Sequence, residues 1–178
     1  MAQNSLRIRQ MPNPSSSDGT TCKDVTPEAI VGGLEAMGRS DVSLADALGM
    51  TRQVLDVLLE KALGLAQFGK YEQAEAELMQ LTSVDGFSPF PPFALGAMRA
   101  QRQKYELAID AYGTAEERAA KFGLAHLTGR IALCRGHAAM MLGDAVHARS
   151  AFELAVVRGD PAIAEDAVNL LKSVEGSS

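Results

Sequence analysis

Two segments of this chain repeat one another at a fixed interval: GKYEQAEAEL from Gly69 and QKYELAIDAY from Gln103. Lys70 and Lys104, Tyr71 and Tyr105, and Ala74 and Ala108 each stand 34 residues apart. A third, weaker copy, GDAVHARSAF, begins at Gly143, 40 residues after the second, so six residues are inserted between them. A fixed period of this length marks stacked helical hairpins. No single hairpin can bury its apolar face alone, and the stack makes a curved solenoid with a concave surface. The repeat therefore points to an all-α chain that binds something before it does anything else.

Thirty-four residues is the tetratricopeptide period. The predicted fold is an all-α tetratricopeptide-repeat solenoid of three helical hairpins, with N-terminal helices before it and a C-terminal capping helix after it. Residues 1–25 are rich in Ser, Pro, Asn and Thr and read as a flexible tail. Residues 26–50 read as N-terminal helices and a possible dimerisation element. Thr26-Pro27-Glu28 is a helix start that leads into Ile30, Val31, Leu34 and Met37, and Ser43 with Asp46 starts a short second helix that Gly49 ends. The repeats occupy 51–160. Their helices are predicted at 51–68, 71–84, 93–102, 105–121, 124–142 and 145–157, with the three prolines of 85–92 confining the link between the first two hairpins and letting Pro91 or Pro92 occupy the first turn of the helix that follows. Leu55, Leu58, Leu59, Ala62, Leu63 and Leu65 give the first of these helices apolar coverage wider than one stripe, as expected of a helix packed on both sides. Residues 161–178 supply the capping helix and a short tail, with Ile163, Ala167, Leu170 and Leu171 facing inward.

Composition narrows the functions open to such a solenoid. A net charge of −5 and a pI near 5.2, with no basic stripe, argue against a nucleic-acid partner, because phosphate binding needs clustered Lys and Arg. The apolar runs fall far short of the roughly 20 residues that cross a bilayer, and the N-terminus lacks the apolar core of a signal peptide. A cytoplasmic location without membrane insertion is expected, and a disulfide between Cys22 and Cys134 is not. His126, His137 and His147 fit no metal spacing, and Gly32-Gly33 and Gly96-Ala97 do not extend into a phosphate loop. Gly96 and Gly136 fall where the two helices of a hairpin touch. Asp110, Glu116 and Glu117 read as a solvated acidic face. No catalytic residue, metal or cofactor is expected.

The concave face is the better candidate site. With Gly69 counted as position 15 of its repeat, the inward positions of the first arms are Asp56, Leu59, Leu63, Ala66 and Gln67 in the first repeat. They are Phe90, Phe93, Ala97, Ala100 and Gln101 in the second, and Arg130, Leu133, His137, Met140 and Met141 in the third. The row is mostly apolar, which suits a partner site; methionine adapts well to varied partners. The same row could instead be covered by the N-terminal helices or by a dimer partner.

From Leu44 to about Val157 the chain resembles the class II chaperones of bacterial type III secretion. The strings that carry the likeness are LGLAQFGKYEQAEAELMQLTSVD, FALGAMRAQRQKYELAIDAY and MLGDAVHARSAF, with Asp85, Leu95-Gly96-Ala97, Arg99 and Tyr112 among the matching positions. The resemblance implies a chaperone that keeps hydrophobic secreted translocator proteins soluble and export-competent by receiving an extended segment in the concave groove. It implies a groove of Leu59, Leu63, Ala66, Tyr71, Phe93 and Ala97, a homodimer formed through the N-terminal helices, and for some members a transcription activator as a further partner. The family usually has aromatic side chains where this chain has Leu59, Leu63 and Ala66, so the pockets here would be wider. The rival reading is a repeat scaffold or regulatory adaptor that holds a folded partner.

Overall fold

The computed structural model describes residues 43–175. The predicted tail, the helix start at Thr26 with its apolar face, and Cys22 lie outside the described residues. Eight helices are described: α1 Leu44–Ala47, α2 Arg52–Gln67, α3 Tyr71–Val84, α4 Phe90–Gln101, α5 Tyr105–Lys121, α6 Ala125–Leu142, α7 Ala145–Arg158 and α8 Pro161–Glu175. Helices α2/α3, α4/α5 and α6/α7 are the three hairpins, and α8 closes the open end.

Local chemistry explains most boundaries. Ser43 Oγ accepts from the Asp46 N–H at 3.1 Å while the Asp46 carboxylate accepts from the Ser43 N–H at 3.1 Å, a reciprocal cap on α1. Thr51 Oγ1 accepts from the Val54 N–H and starts α2. Gly69 and Gly143 sit at φ 75° and 84° in the turns inside the first and third hairpins, a left-handed conformation that glycine adopts without a Cβ clash. Helix α4 begins at Phe90, three residues before the predicted start at 93. Pro91 and Pro92 thus lie in its first turn, where a missing N–H costs nothing.

The same packing rule recurs in every hairpin with different side chains. Ala74, Ala108 and Ala148, one per second arm, have no exposed surface. The next contact pairs a small residue with a large one: Ala62 with Leu78, Gly96 with Tyr112, Gly136 with Phe152. A Cβ on Gly96 would stand 2.6 Å from the Tyr112 ring, and one on Gly136 would stand 2.4 Å from Phe152, so these glycines are holes that the rings fill. Full burial of Phe152 stabilises the third hairpin by about 3 kcal/mol.

The six inserted residues become helix. Helix α5 has 17 residues against 14 in α3, and α6 has 18 against 12 in α4, while the links between them shorten. At the end of the stack, Ala167 and Val174 are buried with Phe152, and Ile163, Leu170 and Leu171 pack against the same cluster, as a capping helix requires. At the other end α2 joins two clusters, through Leu55 and Leu58 and through Ala62 and Leu65, while among the described residues Val54 and Val57 stay 44% and 63% exposed. No helix among the described residues is long and apolar enough to cross a membrane.

Candidate functional site: the inner row of first arms

Curvature follows from which helices touch. Among the described residues the backbone of each first arm comes close to that of the next first arm (α2 with α4, α4 with α6, α6 with α8), whereas the backbones of the second arms stay farther apart and meet only through side chains. The first arms therefore form the inner, more crowded row, and the positions they turn away from their own hairpins line the concave side.

The candidate residues divide into two groups. Leu63, Tyr71, Phe90 and His137 are exposed, the first three at 40%, 37% and 46%. Leu59, Ala66, Phe93, Ala97, Leu133 and Met140 are half-buried and double as the lids of the hairpin cores. Leu59 and Ala66 pack on the Ala62–Leu78–Met98 cluster. Phe93 and Ala97 pack on the cluster around Tyr112 and Ile131, with the Phe93 and Tyr112 ring centroids 5.9 Å apart. Leu133 and Met140 pack on the Phe152 cluster beneath α8. His137 meets Phe152 edge-on at 5.8 Å. Tyr71 stands at the start of α3 with the Arg102 guanidinium 5.5 Å above its ring, so it borders the row rather than sitting in it. The polar positions of the row, Asp56, Gln67, Gln101, Arg130 and His137, are all exposed, with Asp56 held by Arg52 at 3.0 Å; beside the row, burial pushes the Cys134 thiol up, which keeps it protonated.

The link between the first two hairpins decides where Phe90 and Phe93 stand, and it is tied by residues that the repeat pattern does not reveal. Asp85, 4% exposed, accepts from the Ser88 N–H at 3.0 Å and from Arg52 Nη1 at 2.9 Å. Ser88 Oγ accepts from the Phe90 N–H and from Arg52 Nη2, both at 3.3 Å. Neither Arg52 nor Arg118 is a position of the repeat pattern or of the inner row. Each lies 33 residues from Asp85, about one period, which stacks residues on neighbouring hairpins.

The acidic group on α5 is not simply a solvated face. Asp110 and Glu117 are exposed, but Glu116 is 16% exposed and lies 3.2 Å from Arg135 of α6. Beside this pair a cleft of about 330 Å³ is lined by Glu116, Thr128, Leu154 and Arg158, away from the inner row. Among the described residues no group of His, Cys, Asp or Glu could hold a metal ion.

The fold is that of a three-hairpin tetratricopeptide protein closed by a terminal helix. No family model matches the chain, and no curated protein matches its sequence. Solved structures do share the fold. A type III secretion complex from Aeromonas hydrophila superposes with a TM-score of 0.72 at 22% identity, covering 82% of this chain and 97% of that one. The translocator chaperone SycD of Yersinia enterocolitica gives 0.63 at 22% identity, covering 74% and 98%. PcrH in complex with the chaperone-binding region of PopD gives 0.63 at 23% identity, covering 72% and 96%. The chain thus has the fold of the type III secretion translocator chaperones that its sequence resembles.

Proposed function

We propose that this protein is a cytoplasmic chaperone for hydrophobic secreted translocator proteins, holding an extended segment of its client along the inner row of α2, α4 and α6 and keeping it soluble and export-competent. The observation that carries the reading is the run of apolar side chains left open on that row in a chain of net charge −5: Leu63, Phe90 and, at its border, Tyr71. Their half-buried neighbours Leu59, Ala66, Phe93 and Ala97 add apolar floor. Among proteins of this fold, PcrH has been solved with the chaperone-binding region of PopD and SycD with a peptide of YopD, which supports a segment-binding role here. Catalysis has no part in the reading. Dimerisation through residues 26–50 and a transcription activator as a further partner belong to the same proposal.

Binding of an extended segment depends on a few buried anchors. Leu63→Glu is the informative substitution, because Leu63 is exposed and its loss leaves the hairpin cores intact. Phe93→Glu is weaker as a test, since Phe93 also packs on Tyr112. Affinity purification of the tagged chain from its native cells, with mass spectrometry, is expected to yield a secreted protein with long apolar stretches. That complex should weaken by more than tenfold with Leu63→Glu at unchanged helical circular dichroism. Recovery of folded soluble partners, indifferent to Leu63→Glu, would replace the chaperone by a scaffold or adaptor.

A further inference from the structure

We infer that Arg118, on the outer row of the second hairpin, is a positioning residue that sets Phe90 and Phe93 on the inner row; the inference rests on the groove reading above. The link at 85–89 joins α3 to α4, and its backbone would be free to move if only its own residues held it. Arg118 reaches it from α5. Its Nη1 donates to the carbonyls of Asp85 at 2.7 Å and Ser88 at 3.1 Å, and its Nη2 to that of Thr82 at 2.9 Å. The last carbonyls of a helix lack partners inside it, so Arg118 supplies the C-terminal cap of α3 from the neighbouring hairpin. One planar guanidinium fork holds three carbonyls at fixed spacing, which an ammonium cannot reproduce. From Ser88 the constraint passes directly into α4. The Phe90 N–H donates to Ser88 Oγ, and the Phe93 N–H donates to the Pro89 carbonyl at 3.1 Å.

The insertion supplies the other half of the clamp. By the 34-residue register Arg118 corresponds to Val84, the last residue of α3, so Lys121 and Phe122 lie beyond the length of the first hairpin's second arm. They close on Phe87 in the middle of the link: Phe122 meets its ring edge-on at 5.9 Å, and Lys121 Nζ lies 5.6 Å over it. The lengthening of α5 that precedes the third repeat thus acts on the second. It builds the backing on which the aromatic part of the inner row rests.

Amide hydrogen exchange of the full chain tests the positioning without knowledge of the client, and binding of the apolar dye bis-ANS tests its consequence. Arg118→Met is expected to speed exchange of residues 86–93 at least tenfold, to leave α6 and α7 at wild-type rates, and to weaken dye binding several-fold. Arg118→Lys keeps the charge but loses the fork, and should recover less than half of either effect. Should Arg118→Met not fold, Phe87→Ala removes only the ring contact and is read by the same local exchange. Unchanged exchange at 86–93, exchange that rises equally through α5 and α6, or full recovery by lysine would overturn the assignment. If Leu63→Glu leaves dye binding intact while exchange follows expectation, the groove reading fails and the role of Arg118 in the link stands.

Discussion

Two interfaces join the three hairpins, and each contains a carboxylate facing arginine, yet the two carboxyls are shifted in opposite directions. Between the first and second hairpins, Glu75 accepts from Arg99 Nε at 2.9 Å and from Lys104 Nζ at 2.8 Å, with Arg102 at 3.8 Å. The hydrogen bond from Lys104, and then that from Arg99, hold its carboxyl below the usual range. Between the second and third, Glu116 lies 3.2 Å from Arg135 without the alignment of a hydrogen bond. Its Oε2 and the Arg135 Nε are both shielded from solvent with no hydrogen-bond partner among the described residues. Burial therefore dominates and pushes the Glu116 carboxyl up. Aligned donors, rather than the nearness of an opposite charge, decide whether a half-buried ion pair supports the fold.

Removing Glu75 should be the most damaging test of this contrast. Arg99 is only 12% exposed in its side chain, and Glu75→Ala would strand it without its carboxylate. A loss of about 3 kcal/mol is expected, read as a shift of the urea midpoint at pH 7. A loss under half that size would put the two interfaces on an equal footing. The second test works inside the third hairpin. Gly136→Ala drives a Cβ to within 2.4 Å of Phe152, and overpacking of this kind costs about 2 kcal/mol. The equivalent step in the first hairpin, Ala62→Gly, should cost about 1 kcal/mol through helix propensity alone.

Glu116→Gln sharpens the contrast through pH. A carboxyl whose folded pKa is raised contributes stability that is fully present below its unfolded value of about 4.3 and is lost as pH climbs through the raised folded value. Glu75 does the reverse: its contribution is present above the unfolded value and is lost as pH falls through the lowered folded one. Glu116→Gln should therefore approach or exceed wild-type stability near pH 7, by up to about 1 kcal/mol, and lose that advantage toward pH 4. Melting curves over this range check the sign. A penalty at pH 7 that fades on acidification would mean that Glu116 is a favourable ion pair like Glu75.

The two interfaces also differ in how well the sequence foretells them. The helices of the first two hairpins follow from the 34-residue register, the glycine at Gly69 and the aligned alanines, because those signals are local and each acts through backbone geometry or a buried methyl group. Helix α4 starts at Phe90 rather than at 93 because Pro91 and Pro92, one of which is expected in a first turn, both fit there. Glu116 looks like surface in the sequence, and only the packing of α5 on α6 brings Arg135 against it. Arg118 is less legible still, for its partners are main-chain carbonyls, which leave no trace in residue identity. Of the inner row, position counting finds the residues but cannot say that Leu59 and Phe93 double as core while Leu63 and Phe90 stand open; that division depends on how each hairpin sits on the next.

The smallest effect belongs to the turns within the hairpins, where the first and third agree and the second does not. Gly69 and Gly143 adopt positive φ, and the corresponding residue of the second hairpin, Gln103, adopts the same conformation at φ 58° with a full side chain. For a residue bearing a Cβ this conformation costs about 1 kcal/mol, and replacing it by glycine gives back part of that gain through the freer unfolded chain. Gln103→Gly should thus stabilise the protein by about 0.5 kcal/mol, while Gly69→Ala and Gly143→Ala should each destabilise it by about 1 kcal/mol. Thermal midpoints of the three variants settle the matter together. If Gln103→Gly were destabilising, the glutamine side chain would have to be contributing more than the strain of its backbone, and the second turn would differ from the other two in what it contacts as well as in what it tolerates.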